Sequence, residues 1–331
     1  MNWREAHEEA MFAAADAHEE LQLDSTRRID VFAAIEGLGL ELLFRPLRGA
    51  SGLYVPGAHR TDGGVLINSN HRLARQRFTG AHELGHFWLE HEASLDLQTE
   101  FFTRADAGRY QPQEMTAEAF AAWFLMPPEL VDAVLDELGL STPRSSDDVY
   151  ALSLRMGTSY EATAYHLPNL KLASYDAARE WVTQPPKRVK AALSMGVEMV
   201  SYYHDVWSLS ERDADAAFRV RAGDRLVVTL PEIPSSGYMW STGTLPASAR
   251  VVADTMTDAL TTSGGFEEAA NHEPPGSPHP RTVVLDLDGA IDGSLDLALV
   301  KAPVWAPQEG TERFLVHLEV EQPLLGRPTP G

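Results

Sequence analysis

The chain has 331 residues, of which 44% are hydrophobic and 23% charged, a composition typical of a globular protein with room for two domains. It carries 48 acidic and 27 basic residues, and the net charge of −21 argues against nucleic acid as a direct partner. No cysteine and no run of about 18 apolar residues occurs, which excludes disulfides, thiolate metal ligands and a membrane-spanning helix.

The first 20 residues, MNWREAHEEAMFAAADAHEE, contain acids where a secretory signal would have a basic segment followed by an apolar one. We therefore expect a cytoplasmic protein. The basic residues cluster in sequence only at Lys187, Arg188 and Lys190, and a solvated linker is the expected role of such a short cluster.

The first predicted elements are a helix followed by two strands. Apolar residues recur at helical spacing from Ile29 to Leu38, and the apolar run LELLF follows Gly39. The run GVLIN, at residues 64–68, is bounded by turn residues and predicts a second strand. An edge strand at this position would suit peptide binding by strand addition.

Helical periodicity resumes over residues 71–91 and 113–126, where Pro127 and Pro128 end it. A further helix ends at Gly139, the usual position for a C-terminal cap. Two short helical patterns at 146–167 then resemble a helix-turn-helix. Because the chain is acidic and the second helix is not basic, a packed helical hairpin is the favoured interpretation.

The character of the chain changes near residue 213. Alternating apolar runs separated by Gly, Pro and Ser predict an antiparallel all-β sandwich over residues 213–322. The predicted organisation is thus a mostly helical α+β domain with a small sheet at 1–182, a linker at 183–212 that could contain helix, the sandwich, and a disordered tail at 323–331.

The motif H-E-x-x-H occurs within the run FTGAHELGHFWLEH. On a helix, His82 and His86 lie one turn apart on one face and can bind the same ion, while Glu83 points beside it. A catalytic zinc site needs a third protein ligand and one open position. His91 does not qualify on a continuous helix, because it would lie about 140° round the axis from His86.

A better third ligand is Glu114, in the first turn of the next long helix. The alternative interpretation, an acid that only favours the helix dipole, is equally compatible with the spacing. Glu118 lies one turn later, where it could accept a hydrogen bond from a ligand imidazole and fix its tautomer.

At this point the residues carry a resemblance. The run INSNHRLARQRFTGAHELGHFWLEH, followed by the pattern E-x-x-A-x-x-F-A-x-x-x-L-M-P from Glu114 to Pro127, resembles the ImmA/IrrE family of zinc metallopeptidases. The resemblance covers roughly residues 10–175 and implies a zincin-like fold. It also implies one zinc ion held by His82, His86 and Glu114, with Glu83 as the catalytic base.

A peptidase of this type also needs a donor for the oxyanion. Tyr160, Tyr165 and His166 are candidates because they follow the helices in the same domain, although packing is the commoner role of each residue.

The second half carries another resemblance. The segment DRLVVTLPEIPSSGYMW is similar to the first inhibitory loop of the chagasin-like cysteine-protease inhibitors, with Pro234, Ser235, Ser236, Gly237 and Tyr238 at the loop. The segment APVWAPQEGTERFLVHLEV, with Trp305, resembles their third loop. The resemblance implies an immunoglobulin-like sandwich whose loops enter a protease cleft.

The whole sequence predicts a zinc endopeptidase that cleaves a specific intracellular protein. By family resemblance the substrate is a helix-turn-helix transcriptional repressor, cleaved in a stress or mobile-element response, and the sandwich recognises a substrate or partner or regulates the peptidase. The alternative is a binding protein with a silent peptidase domain, whose sandwich inhibits another protease. A direct DNA-binding regulator is opposed by the charge.

Overall fold

The computed structural model describes residues 2–59, 62–91, 95–97, 111–243, 245–256, 279–287 and 293–321. The chain divides into two compact units, Met1–Gln184 and Pro185–Gln322. The predicted tail at 323–331 lies outside the described residues.

The first unit contains eight helices among its described residues. They are α1 Trp3–Glu20, α2 Val31–Gly37, α3 Leu73–Trp88, α4 Pro112–Leu125, α5 Pro128–Leu138, α6 Ser146–Met156, α7 Tyr160–His166 and α8 Tyr175–Thr183. The same unit has a small sheet, formed by β1 Glu41–Arg45, β2 Ala50–Val55, β3 Gly64–Asn68 and β4 Leu95–Leu97.

This sheet has the strand order β1-β3-β2-β4, with β1 and β3 parallel and the other pairs antiparallel. The prediction of an edge strand at 64–68 was wrong, since β3 hydrogen-bonds to a neighbour on each side and cannot add another strand there. The sequence does not predict β2, because Gly49 and Ser51-Gly52 are typical of a turn.

Helix α3 is buried on all sides from Thr79 to Trp88, which is the pattern of a helix at the centre of a domain. It contacts α4 on one side and strands β2 and β3 on another. The guanidinium of Arg77 donates to the carbonyl oxygens of Ile29 (2.7 Å) and Gly157 (2.9 Å), so it ties α3 to the start of α2 and to the α6–α7 turn. The segment predicted as a helical hairpin at 146–167 thus consists of two helices that are part of this packed unit.

The second unit contains helix α9, Pro186–Leu193, followed by two four-stranded sheets. The strands are β5 Val206–Ser210, β6 Ala217–Val220, β7 Arg225–Glu232, β8 Tyr238–Ser241, β9 Ala249–Met256, β10 His279–Leu287, β11 Ser294–Pro303 and β12 Glu312–Val320. The sheet orders are β5-β7-β10-β9 and β6-β12-β11-β8. The rings of Trp207 and Phe218, one from each sheet, lie 5.6 Å apart between centroids. The predicted fold class, a helical α+β domain followed by a β-sandwich, is confirmed.

Two features of the segment predicted as a linker differ from expectation. Strand β5 lies within it and pairs in parallel with β7, so the sandwich begins before residue 213. Lys190 is only 2% exposed, and its ammonium group contacts Asp205 at 2.7 Å and the carbonyl oxygen of His204 at 2.8 Å. The basic cluster is therefore not wholly solvated, because Asp205 compensates the buried charge of Lys190.

None of the described helices is both long and apolar enough to cross a membrane.

Candidate metal centre

Helix α3 brings His82 and His86 together in the buried part of the first unit. The two side chains are 3% and 2% exposed, and their Nε2 atoms are 3.0 Å apart. Two imidazole nitrogens at this distance on one helix face are arranged to bind the same metal ion.

Helix α4 supplies the third group. The Oε2 atom of Glu114 lies 3.3 Å from Nε2 of His82 and 3.6 Å from Nε2 of His86. Pro112 at the first helical position starts α4, which places Glu114 in the first turn. Within the part of the chain that the structure describes, these three residues are the one His, Cys, Asp or Glu group of three or more with converging ligand atoms.

The close approach of the two helices depends on Gly85, which lies between the two histidines. A Cβ atom at this position would meet the ring of Phe120 at 3.0–3.2 Å, tighter than ordinary van der Waals contact. The glycine of the H-E-L-G-H sequence thus lets α4 approach α3. This approach is what brings Glu114 to the histidines.

The three atoms fit a tetrahedral metal ion such as zinc. Bonds of about 2.0–2.1 Å at tetrahedral angles put neighbouring ligand atoms about 3.3 Å apart. The observed separations of 3.0, 3.3 and 3.6 Å bracket this value. Two imidazoles and one carboxylate are also a donor set found in catalytic zinc sites, where a fourth position stays open.

The other ring nitrogens of the two histidines also contact side chains. Glu118 Oε2 lies 3.7 Å from Nδ1 of His82, on the side of the ring away from Glu114. His91 Nδ1 lies 3.0 Å from Nδ1 of His86. Burial and, to a smaller extent, the neighbouring His86 lower the pKa of His91 to about 4. Each imidazole of the pair is therefore contacted at both ring nitrogens.

Glu83 is fully buried next to this cluster, and strand β2 lies directly against it. A Cβ atom at Gly52 would be 2.7 Å from Glu83 Oε1 and would also collide with the methyl group of Thr79. Only glycine leaves room at this position for the carboxylate. Position 52 thus restricts where Glu83 can point, a constraint that no pattern in the sequence indicated.

Two of the three oxyanion candidates make hydrogen bonds to backbone carbonyl oxygens of the first unit. The hydroxyl of Tyr160 donates to the carbonyl oxygen of Trp181 at 2.8 Å, and burial raises the pKa of Tyr160 to about 12. His166 is 2% exposed, contacts the carbonyl oxygen of Met126 at 3.1 Å and meets the ring of Trp123 edge-on. Tyr165 is half-buried. The contacts of Tyr160 and His166 favour packing rather than oxyanion binding.

In the second unit the two inhibitor-like segments come together. Pro234, Ser235 and Ser236 form a single turn, and Gly237 adopts φ +74°. A Cβ atom at Gly237 would meet the ring of Trp305 at 2.5 Å, so glycine is required for both its conformation and the close contact. The rings of Tyr238 and Trp305 are 5.8 Å apart.

This loop pair presents apolar side chains to solvent. Trp305 is 68% exposed, Val304 57% and Ile233 40%. Ile233 directly follows β7, and Val304 and Trp305 follow β11. We call Ile233, Val304 and Trp305 the apolar tip.

A comparison with known families decides what the first unit resembles. The family model described as the IrrE N-terminal-like domain, Peptidase M78, matches residues 35–167. This part of the chain is similar to the IrrE N-terminal-like domain. The match includes both histidines, Glu83 and Glu114.

A curated relative points the same way. The radiation response metalloprotease IrrE of Deinococcus deserti is 38% identical over 114 residues, which are 33% of this chain. The match spans 38% of the length of that relative. The resemblance between the two proteins is thus limited to part of each.

Three solved structures resemble the C-terminal region. The cysteine protease inhibitor EhICP2 of Entamoeba histolytica matches with a TM-score of 0.28 and 18% identity, over 37% of this chain and all of the inhibitor. Amebosin matches at 0.27 and 19%, over 36% of this chain and 98% of its own. The inhibitor PbICP-C, solved in complex with falcipain-2, matches at 0.20 and 13%, over 38% and 96%. TM-scores this low establish nothing by themselves, and the sandwich is defined by the sheets described above.

Proposed function

We propose that the first unit is a zinc-dependent endopeptidase that cleaves a specific protein. The convergence of His82, His86 and Glu114 around one point, with Glu83 buried beside them, is the observation that carries the proposal. The similarity of residues 35–167 to the IrrE N-terminal-like peptidase domain supports it. One zinc ion per chain is the expected cofactor, because the donor set and its spacing suit tetrahedral coordination.

The chemistry assigned to the chain's own residues is acid–base catalysis. Zinc, when bound, lowers the pKa of a water molecule and polarises the carbonyl of the scissile peptide bond. The carboxylate of Glu83 takes a proton from the attacking water as the water oxygen bonds to the carbonyl carbon. When the carbon–nitrogen bond breaks, Glu83 delivers the proton to the departing amine. The reaction is hydrolysis without a covalent enzyme intermediate.

The proposed substrate is a helix-turn-helix transcriptional repressor, whose cleavage relieves repression in a stress or mobile-element response. The similarity of residues 35–167 to the IrrE domain and the name of the Deinococcus relative support a stress-related role. We place this activity in the cytoplasm, in keeping with a chain that has no cysteine. The net charge of −21 favours protein partners over direct DNA binding.

The test measures cleavage of repressors whose genes lie near the gene for this protein, with the metal removed and then restored. We expect mass analysis to find one zinc per chain and the native protein to cleave one of the repressors. A chelator should stop cleavage, and added zinc should restore it while added magnesium should not. Cleavage that continues after the metal has been removed would contradict a zinc peptidase.

The apolar tip supports a recognition role for the sandwich. Trp305, Val304 and Ile233 expose large apolar side chains, and exposed apolar and aromatic residues of this kind are characteristic of protein-binding sites. We propose that this surface recognises the substrate or a partner of the peptidase, or regulates the peptidase itself. The alternative is a silent peptidase whose sandwich inhibits a second protease, and the same tip would serve that purpose.

A Trp305→Ala substitution separates these roles. If the tip recognises the substrate, the variant should retain zinc and lose about 10-fold or more in cleavage of the repressor, since aromatic anchors often contribute 2 kcal/mol or more. An exposed control, Phe12→Ala on α1, should cleave normally. Inhibition of a papain-type protease by the native chain, lost in Trp305→Ala, would instead favour the inhibitor.

A further inference from the structure

Helix α3 ends in a way that returns the chain to one of its own histidines. The backbone N–H of Glu90 donates to the carbonyl oxygen of Phe87, and that of His91 donates to the carbonyl oxygen of His86 at 2.9 Å. Glu90 adopts φ +53°, the left-handed conformation that terminates many helices. These two hydrogen bonds define a Schellman motif, with Glu90 as the left-handed residue.

The motif explains why His91 reaches His86. In a Schellman motif the residue after the left-handed position commonly contacts the residue three before the helix cap. Here those residues are His91 and His86, whose ring centroids are 5.1 Å apart. A continuous helix would have carried His91 away from the cluster, so the left-handed turn at Glu90 decides the contact.

Metal binding through Nε2 would determine which nitrogen of His86 carries the proton. Nε2 of His86 faces His82 and Glu114, so a neutral His86 that uses its Nε2 lone pair for a metal must be protonated on Nδ1. Nδ1 of His91 lies 3.0 Å from that atom. His91 can accept this hydrogen bond only if its own proton is on Nε2.

We propose that His91 is a positioning residue that holds His86 in the tautomer and orientation needed for metal binding. This role rests on the proposed zinc peptidase. The two histidines then have different partners at Nδ1. The carboxylate of Glu118 contacts His82, and the imidazole of His91 contacts His86. Partners of this kind orient the ligand ring and raise the affinity for the metal.

The test compares the zinc affinity of two substitutions in the full chain, measured by competition with a chelator. His91→Phe keeps a ring at the end of α3 but removes the acceptor, and we expect its zinc affinity to fall by about 10- to 100-fold. His91→Asn places an oxygen where Nδ1 lies in histidine, and we expect its zinc affinity to stay within about threefold of the native value. Glu90→Gly, which retains the left-handed turn, is the matched control and should bind zinc normally.

The outcomes distinguish a role of His91 as hydrogen-bond acceptor from a packing role, and both from the absence of a zinc site. Native affinity in His91→Phe would overturn the proposed role while leaving the peptidase intact. Equal loss in His91→Phe and His91→Asn, with apo forms that unfold at a lower temperature than the native apo form, would also overturn it, since the residue would then only pack. A native chain that bound no zinc would contradict the proposed function and this role together.

A measurement on the native protein does not depend on the folding of any variant. Nitrogen-15 NMR of the zinc-loaded chain should show His86 protonated on Nδ1 and His91 protonated on Nε2. A proton on Nδ1 of His91 would overturn the proposal, because two N–H groups cannot form this hydrogen bond.

Discussion

Glu83→Gln is expected to lower the rate of substrate cleavage by at least about 100-fold while the chain keeps its zinc. General acid–base groups of this kind typically contribute 10²–10⁴-fold. Glutamine has nearly the same shape as glutamate, so it fits the space beside Gly52 and preserves the packing around Glu83. It cannot accept the proton of the attacking water, and the reaction loses its base.

Two measurements on the same preparation check this result: the rate of repressor cleavage and the zinc content by mass analysis. Glu129→Gln, at an exposed position in the first turn of α5, is the matched control and should cleave at the native rate. Full cleavage by Glu83→Gln would show that another group is the base. Loss of zinc together with activity would make Glu83 a metal-binding rather than a catalytic residue.

The second large effect is expected from removing a ligand. His86→Ala or Glu114→Ala should each weaken zinc binding by about 100- to 1,000-fold, if one ligand contributes roughly a quarter of the 10–16 kcal/mol found for structural zinc sites. Cleavage should disappear at zinc concentrations that saturate the native chain. Zinc should also raise the unfolding temperature of the native chain and have little effect on the variants, because a ligand that binds the folded state stabilises it.

The control for this experiment is His59→Ala, an exposed histidine of the same unit. It tests whether removal of any histidine lowers the zinc content of the chain. Retention of one zinc per chain by Glu114→Ala would show that the third ligand lies elsewhere. The same result for His86→Ala would contradict the entire ligand set.

The parts of the site that could be predicted from the sequence lie within single helices. His82 and His86 are one turn apart, so local helical geometry alone puts them on one face. The helical periodicity from residue 113 put Glu114 in a first turn, and this position made it a candidate. The pattern alone could not separate a metal ligand from an acid that favours the helix dipole, and the family resemblance raised Glu114 above that alternative.

His91 illustrates where local reasoning failed. Extrapolating a continuous helix moved it away from His86, yet the left-handed conformation of Glu90 turned the chain back. A non-glycine residue in this conformation is uncommon and is not marked by its side chain. No pattern in the sequence therefore indicated that His91 contacts His86.

In the second unit the alternation of apolar residues predicted a sandwich but not where it begins. The strand VWSLS at 206–210 is short and follows a helix, so its sequence does not distinguish it from the linker, although its pairing with β7 makes it part of the sheet. Register and edge positions depend on hydrogen bonds between segments that are distant in sequence. The interior position of β3 was missed for the same reason.

Composition and helical periodicity are properties of neighbouring residues, and they determined the two-domain organisation, the helical and all-β classes and the two histidines beside Glu83. Tertiary structure alone decided that Glu114 reaches both histidines, that Gly52 lies against Glu83 and that His91 returns to His86. Each of these contacts joins different elements or follows a change of backbone direction. Close packing, through Gly85 against Phe120 for example, sets such distances to within a few tenths of an ångström, and no local pattern specifies them.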